Sequence, residues 1–437
     1  MLAIGCRTFC VVSERVWRQA WIMIARPVSL ICRKGLVAML LCSLSGHAAE
    51  RWWSDPVEVT LSGSGTNRVE LQGAVDRVRE DRREGMAFLL EHMPEIDRGR
   101  LPGALLLTHV DLAYEAMATA PWGRQVPKEI FLNDVLPYAC VNEPRDDWRP
   151  RLREIAMPLI EGSKTPGEAA RRLNELLFPL LKVKYSTQRK RPDQSPLETM
   201  ESGMATCTGL SILLADACRA VGIPARIVGT PLWANMRGNH TWVEVWDGDW
   251  HFVGAAEPDP QGLDRGWFVH DASQARRDEP RHAIYASSFR PTGTTFPMVW
   301  ARRIDWVPAE NVTDRYTPKA KPVAEGKSRL LVKVLDRLAG QRVPASVEVV
   351  DLTDPTLTWT GISRGERVDL NDILPFEVGT GRAYIVTARL NGLESQVRVE
   401  VGEGAEQVVV LPLSRQRFLG LPSQACYQVT PVAPVRR

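Results

Sequence analysis

Apolar residues recur at helical spacing from Val69 to about Leu180, first as Leu71, Val75 and Val78, then through Leu105, His109 and Leu112. Steps of three and four positions share one helix face, so residues 49–164 read as a mainly helical region. The sharpest start signal is Thr165-Pro166-Gly167-Glu168, a cap residue, a proline at the first helical position and a carboxylate three residues after the cap. Ser195-Pro196-Leu197-Glu198 repeats it. The helix opened at Thr165 must end or kink near Pro179, because proline has no amide hydrogen and its ring crowds the preceding turn. Residues 182–185 then read as a short extended piece. After Gly203 the texture changes. Leu210, Leu213, Leu214, Ala217 and Val221 form one stripe of a helix that Gly222 ends. Residues 223–229 read as a strand, and 241–246 alternate about a Val243/Val245 face. Asp247-Gly248-Asp249 then turns the chain back into 250–253, a hairpin by its turn residues.

Residues 317–327 hold two prolines, three lysines and little that is apolar, which predicts a linker. Beyond it lie strand-like runs at 330–335, 346–352, 356–362, 383–390 and 396–401. The last two are joined across Asn391-Gly392, the strongest short hairpin signal. The pattern predicts an α+β chain: helical at 49–164, mixed at 165–316, then a small all-β sandwich at 328–414 and a tail at 415–437. No histidine, cysteine or acidic cluster in the sandwich supports chemistry, so it reads as a binding or spacer module.

Composition narrows the class. With 44% of 437 residues apolar and 24% charged, the chain is not disordered, fibrous or a polytopic membrane protein. Its net charge of +3 is deceptive, because residues 1–48 hold six basic residues and one acidic one. The remainder nets two negative charges, so bulk charge draws in no nucleic acid. The start reads as an export leader: Arg33-Lys34, an apolar run at 36–44, then Ser45-Gly46-His47-Ala48-Ala49 with small residues where a signal peptidase cuts. That run is too short for a bilayer, which needs about 20 residues. A secreted or periplasmic protein without a stable membrane span is expected, residues 1–48 being the leader and Met23 an alternative start. Seven of the 14 tryptophans fall between Trp233 and Trp306, which predicts a heavily packed aromatic core.

Candidate chemistry centres on Cys207. If Thr206 caps the following helix, Cys207 lies in its first turn, where unpaired backbone amides favour a thiolate and can also bind an oxyanion formed when sulfur attacks a carbonyl. Cys218 lies eleven residues further, about 16 Å along the axis, too far for a bridge to Cys207. Cys140 pairing with Cys426 or Cys218 would leave the nucleophile free. His240, opening the alternating strand, is the candidate base. A two-residue turn at 247–249 would face odd-numbered residues of the returning strand toward His240 and so present Glu257 as the orienting carboxylate; a three-residue turn would present Gly254 and Ala256. Asp259 shares Glu257's parity but follows Pro258. Glu244 is about 13 Å along the strand, too far to serve. No Cys-x-x-Cys is present and no metal site or cofactor is expected.

These residues in this order, Gly203-x-x-x-Cys207, a helix ending Val221-Gly222-Ile223-Pro224-Ala225-Arg226, then His240-x-Trp242-Val243-Glu244-Val245, Trp250 and an acid before proline, resemble the transglutaminase-like superfamily of papain-related cysteine enzymes, in an exported bacterial form. The resemblance covers roughly residues 165–260. It implies a nucleophile helix packed on an antiparallel sheet that carries base and acid, with Cys207, His240 and the acid before Pro258 in those roles. One departure stands out. The family's Asp-Pro falls four residues after the tryptophan, where this chain has Gly254, and the acid-proline pair here is Glu257-Pro258. The expected activity is acyl transfer through a thioester, with hydrolysis of a protein, peptide or cell-wall amide as the first reading. An amine-transferring crosslinker, or a non-enzymatic module using the Trp-rich surface, are the alternatives.

Overall fold

The computed structural model describes residues 51–318, 323–404, 406–413 and 430–431. The expected leader lies outside them, as does most of the expected tail. Among the described residues no helix is long and apolar enough to cross a membrane.

Six helices open the described part: α1 (Asp55–Ser62), α2 (Arg68–Arg77), α3 (Arg83–His92), α4 (Glu95–Arg98), α5 (Gly103–Thr119) and α6 (Lys128–Asp134). Their apolar faces meet in one cluster that includes Leu71, Leu89, Leu106 and Val110. Next come α7 (Trp148–Leu159) and α8 (Pro166–Leu181), then α9 (Pro196–Ser202) and α10 (Cys207–Ala220), with the two-residue strands β1 (Lys184–Tyr185) and β2 (Met204–Ala205) pairing in parallel. The start signals read from sequence are present. Thr165 Oγ1 accepts from the Glu168 amide, and Ser195 with Glu198 closes a reciprocal capping box. Proline at 179 is tolerated because α8 ends two residues later, with Lys182 left-handed at φ 56°.

Helix α10 is buried on nearly every side. It lies against a five-stranded antiparallel sheet in the order β5-β4-β3-β6-β7, made of β3 (Ala225–Thr230), β4 (His240–Trp246), β5 (Trp250–Val253), β6 (Tyr285–Ser287) and β7 (Ala309–Asn311), with the short helix α11 (Val269–Ser273) between β5 and β6. In the β4–β5 hairpin Trp246 pairs with Trp250 and Val245 with His251. Asp247-Gly248-Asp249 is therefore a three-residue turn, with Gly248 at φ 83°, and the two-residue alternatives are corrected.

The remaining strands form a sandwich of two four-stranded sheets. One has the order β10-β9-β12-β13, from β9 (Ser346–Asp351), β10 (Thr358–Ile362), β12 (Arg382–Leu390) and β13 (Leu393–Val401). The other has the order β11-β8-β14-β15, from β8 (Lys327–Leu335), β11 (Leu374–Gly379), β14 (Glu406–Pro412) and β15 (Thr430–Pro431). Valines and leucines from both inner faces fill the space between them. The Asn391-Gly392 hairpin is present, both residues at positive φ (52° and 77°), as a two-residue turn of the primed kind requires. The molecule is thus an α+β protein with a helical N-terminal part, a helix-on-sheet middle and a C-terminal all-β sandwich.

Candidate active site

The first turn of α10 presents Cys207. Thr206 occupies the cap position in extended geometry (φ −96°, ψ −177°), yet its hydroxyl makes no capping bond, contrary to expectation. The amides of the first turn are therefore not taken by that side chain, and they have no partner within the helix. Cys207 is partly exposed, while Cys140 and Cys218 are buried, and all three thiols are free. No Cys140–Cys218 bridge exists, and Cys426 lies outside the described residues. Burial pushes both the Cys140 and the Cys218 thiol upward, away from thiolate.

Strand β4 begins with His240. Two contacts lock it to α10: Thr208 Oγ1 and Thr241 Oγ1 lie 3.1 Å apart, and Ser211 Oγ donates to the Thr241 carbonyl at 3.2 Å. Each threonine follows one of the two candidate residues, so this pair sets thiol against imidazole. Beneath the ring lies the expected aromatic core. Trp242 stacks at 5.7 Å between centroids, and Trp267 and Phe268 approach at 4.7 and 5.0 Å. Trp242 Nε1 donates to Tyr316 Oη, whose hydroxyl donates to Glu244, and Arg226 and Arg315 close on the same carboxylate. Glu244 is thus bound up below the strand.

The carboxylate beside His240 comes from the sandwich. Asp369 sits in the loop between β10 and β11, with its Oδ2 3.5 Å from His240 Nδ1. Donor atoms of Cys207, His240 and Asp369 all lie within 4.8 Å of one another. Neither ring nitrogen has an aligned hydrogen-bond partner, a looseness common in catalytic sites without substrate. Burial by itself opposes a charge on the His240 ring, but the Asp369 carboxylate and Cys207 beside it outweigh that and hold it well above the usual imidazole range. Asp369 is likewise penalised by burial, and the neighbouring imidazolium more than compensates, so its carboxyl is held below the usual range.

Glu257 lies elsewhere. Strand β5 ends at Val253, the chain turns with Ala256 left-handed at φ 63°, and the Glu257 carboxylate accepts from Trp267 Nε1 at 2.9 Å. It reaches His240 only as a charge, across the indole. Enclosure of its carboxyl raises it to about 7, opposed by the His240 charge. Asp259 is an outer residue that accepts from the Gln261 amide and pairs with Arg265.

Cys207 opens on a cleft of about 220 Å³ lined by Tyr185, Arg189, Thr206, Asn239, Trp300 and the Asp369–Asn371 segment. Arg189, in the loop between β1 and α9, has no carboxylate at ion-pair distance among the described residues, and its Nη1 donates only to the Thr187 carbonyl. Tyr185 Oη accepts from the Leu370 amide at 3.2 Å. Two further donor clusters are otherwise engaged. Glu143 accepts from the amides of Cys140 and Val141, and the Asp271 and Glu406 carboxylates are paired with Arg237 and Arg329. The Cys-His-Asp donors would suit a zinc ion with an open fourth position, but they equally make an acid–imidazole–thiol series beside free helix-start amides.

Residues 153–272 match the family model of the Transglutaminase-like superfamily, a span that takes in Cys207, His240 and Glu257 and stops short of Asp369. Among solved structures the chain is similar to a Cytophaga hutchinsonii protein assigned as a cysteine protease, with 19% identity over 26% of this chain and 40% of that one and a TM-score of 0.23. It is also similar to red sea bream transglutaminase, with 10% identity over 68% of this chain and 59% of that one and a TM-score of 0.25. It spans less than two thirds of either structure. No curated protein matches the sequence. Through residues 153–272 the chain carries a domain of the Transglutaminase-like superfamily.

Proposed function

We propose that the protein is an exported, cysteine-dependent acyl-transfer enzyme that hydrolyses a peptide or related amide. The observation that carries this reading is the thiol, imidazole and carboxylate within 4.8 Å of one another at a cleft. In the proposed cycle Cys207 sulfur bonds to the amide carbon, and the resulting oxyanion faces the first-turn amides of α10. The carbon–nitrogen bond breaks as protonated His240 gives its proton to the leaving amine, which leaves a thioester. Neutral His240 then takes a proton from water as that oxygen attacks the thioester, and the carboxylic acid departs with the thiolate restored. Asp369 keeps the ring oriented throughout and favours its charged form in the resting pair. Glu257 adds charge from behind Trp267. No cofactor is needed. Residues 1–48 serve as the leader, and the protein works outside the cytoplasm.

The test offers casein-derived peptides with a fluorescent primary amine to wild type and Cys207→Ala, alongside iodoacetamide labelling near neutral pH. The expected outcome is fast, selective alkylation of Cys207 and release of new amino groups that the variant abolishes. Amine incorporation that depends on Cys207 would replace hydrolysis by crosslinking. Labelling of Cys207 no faster than that of Cys218 would leave only a binding module.

A further inference from the structure

The carboxylate next to His240 belongs to a part of the chain that the sequence marks as a spacer, and its surroundings are built rather than incidental. The 363–373 loop crosses from one sheet of the sandwich to the other, from β10 to β11. Inside the turn lies Arg342, 2% exposed. Its Nη1 donates to the carbonyls of Asp369 at 3.0 Å, Leu370 at 3.5 Å and Asp372 at 3.1 Å, and its Nη2 donates to that of Val368 at 2.6 Å. One guanidinium therefore fixes four carbonyls of a five-residue stretch, which a single planar fork of donors can do and an ammonium cannot. Asp369 itself is split between two tasks. Its Oδ1 accepts from the Asn371 amide at 2.8 Å and from Asn371 Nδ2 at 3.1 Å, which leaves Oδ2 toward His240. The loop is also tied to the core: Asn371 Nδ2 donates to the Asn239 carbonyl at 2.9 Å, Arg237 Nη1 to the Asn371 carbonyl at 3.1 Å, and the Leu370 amide to Tyr185 Oη.

We propose that the β-sandwich is a working part of the active site, its 368–372 loop delivering Asp369 to His240, and that Arg342, which touches no reacting atom, is the positioning residue that holds the loop in its delivering shape. This rests on Cys207 and His240 being the reacting pair. The charged or titratable groups facing the ring are Cys207 from α10, Asp369 from the loop and Glu257 from the segment after β5, and its aromatic neighbours are Trp233, Trp242, Trp267 and Phe268. An anion at this distance favours imidazolium, and imidazolium favours the thiolate. Withdrawing Asp369 therefore lets the imidazole lose its charge at lower pH, and the Cys207 thiol, no longer beside a cation, reaches its thiolate only at higher pH.

The experiment measures Cys207 alkylation by iodoacetamide against pH in the full chain, together with thermal melting, for wild type, Asp369→Asn, Arg342→Gln and Arg342→Lys. Asp369→Asn moves the half-maximal pH upward by about one unit or more. Arg342→Gln moves it the same way in protein that is still folded at the assay temperature, and Arg342→Lys falls between Arg342→Gln and wild type. A lowered melting temperature with the wild-type pH profile would make Arg342 merely structural and overturn the proposal. If Arg342→Gln does not fold, Asn371→Ala takes its place, since it removes the side-chain bonds to the Asp369 carboxylate and the Asn239 carbonyl and leaves only the backbone-amide bond to Asp369, and an unmoved profile there overturns the proposal equally. If Cys207 stays selectively reactive and Asp369→Asn changes nothing, the delivery idea falls while the reacting pair stands. If Cys207 is no more reactive than Cys218, the pair itself falls.

Discussion

At the scale of single residues, Cys207 and His240 were legible because each is announced by its own neighbours: a helix stripe that begins just after the cysteine, and an alternating strand that begins at the histidine. Glu257 was misplaced by one residue of turn. The face it occupies depends on the length of the 247–249 turn, and a one-residue change in register reverses every side chain. Its enclosed carboxyl has a consequence of its own. A carboxyl raised to about 7 holds its proton in the folded state where the unfolded chain, at about 4.3, has lost it. Stability from this group is full below the unfolded value and declines as pH rises toward about 7. Glu257→Gln keeps an acceptor for Trp267 and removes the charge, so its melting temperature should match wild type near pH 4 and exceed it at pH 8. Equal melting at both pH values would show that the carboxyl is not penalised by folding. Arg189 carries a different prediction. An unpaired guanidinium on the cleft wall attracts anions, so Cys207 should react with iodoacetate relatively faster, against iodoacetamide, than in Arg189→Gln. The rate ratio should fall severalfold in the variant and lose its salt dependence. An unchanged ratio would place the guanidinium's field away from the thiol.

Elements were readable where their ends carry chemistry and unreadable where packing decides. The Thr165 and Ser195 caps and the Asn391-Gly392 hairpin were all announced by local bonding. Strand β11 was not, because Pro375 argues against a strand; it is tolerated there because β11 is the edge of its sheet. Contact between α10 and β4 is likewise invisible in sequence, and it rests on the buried Thr208–Thr241 hydroxyl pair. Thr208→Val keeps the shape and strands the Thr241 hydroxyl, which should cost about 1–3 kcal/mol in denaturant unfolding. The double variant Thr208→Val/Thr241→Val removes both polar groups and should recover most of that loss. Additive costs in the double variant would mean that the two hydroxyls do not depend on each other. Since this pair sets the spacing of Cys207 and His240, slower alkylation should accompany the single change even where the protein remains folded.

At the scale of the whole molecule, the sandwich was legible as a module, but its docking was not, because the docking contacts join residues far apart in the chain that share no local pattern. Besides the 368–372 loop it is held by a buried ion cluster: Arg237 pairs with Asp271, Arg329 with Glu406, Asn235 Nδ2 donates to Glu406 at 3.0 Å, and His270 Nε2 lies 3.8 Å from Glu406. Burial first, then the Arg329 and Arg237 charges, depress the His270 imidazole to about 4 against the pull of Asp271. An unfolded histidine binds its proton near 6.5. Between 6.5 and about 4 the unfolded chain thus holds a proton that the folded junction refuses, so this group erodes stability as pH falls through that window and adds nothing further below it. His270→Gln removes the refusal. Its melting temperature relative to wild type should climb as pH is lowered from 7 to 4.5, even though raised carboxyls such as that of Glu257 push both proteins in the opposite direction and cancel in the difference. Parallel melting curves would mean that the junction takes up the proton without strain, and acid would then have no hold on the docking of the sandwich. A widening gap would locate the acid sensitivity of the molecule at the seam that also brings Asp369 to the imidazole.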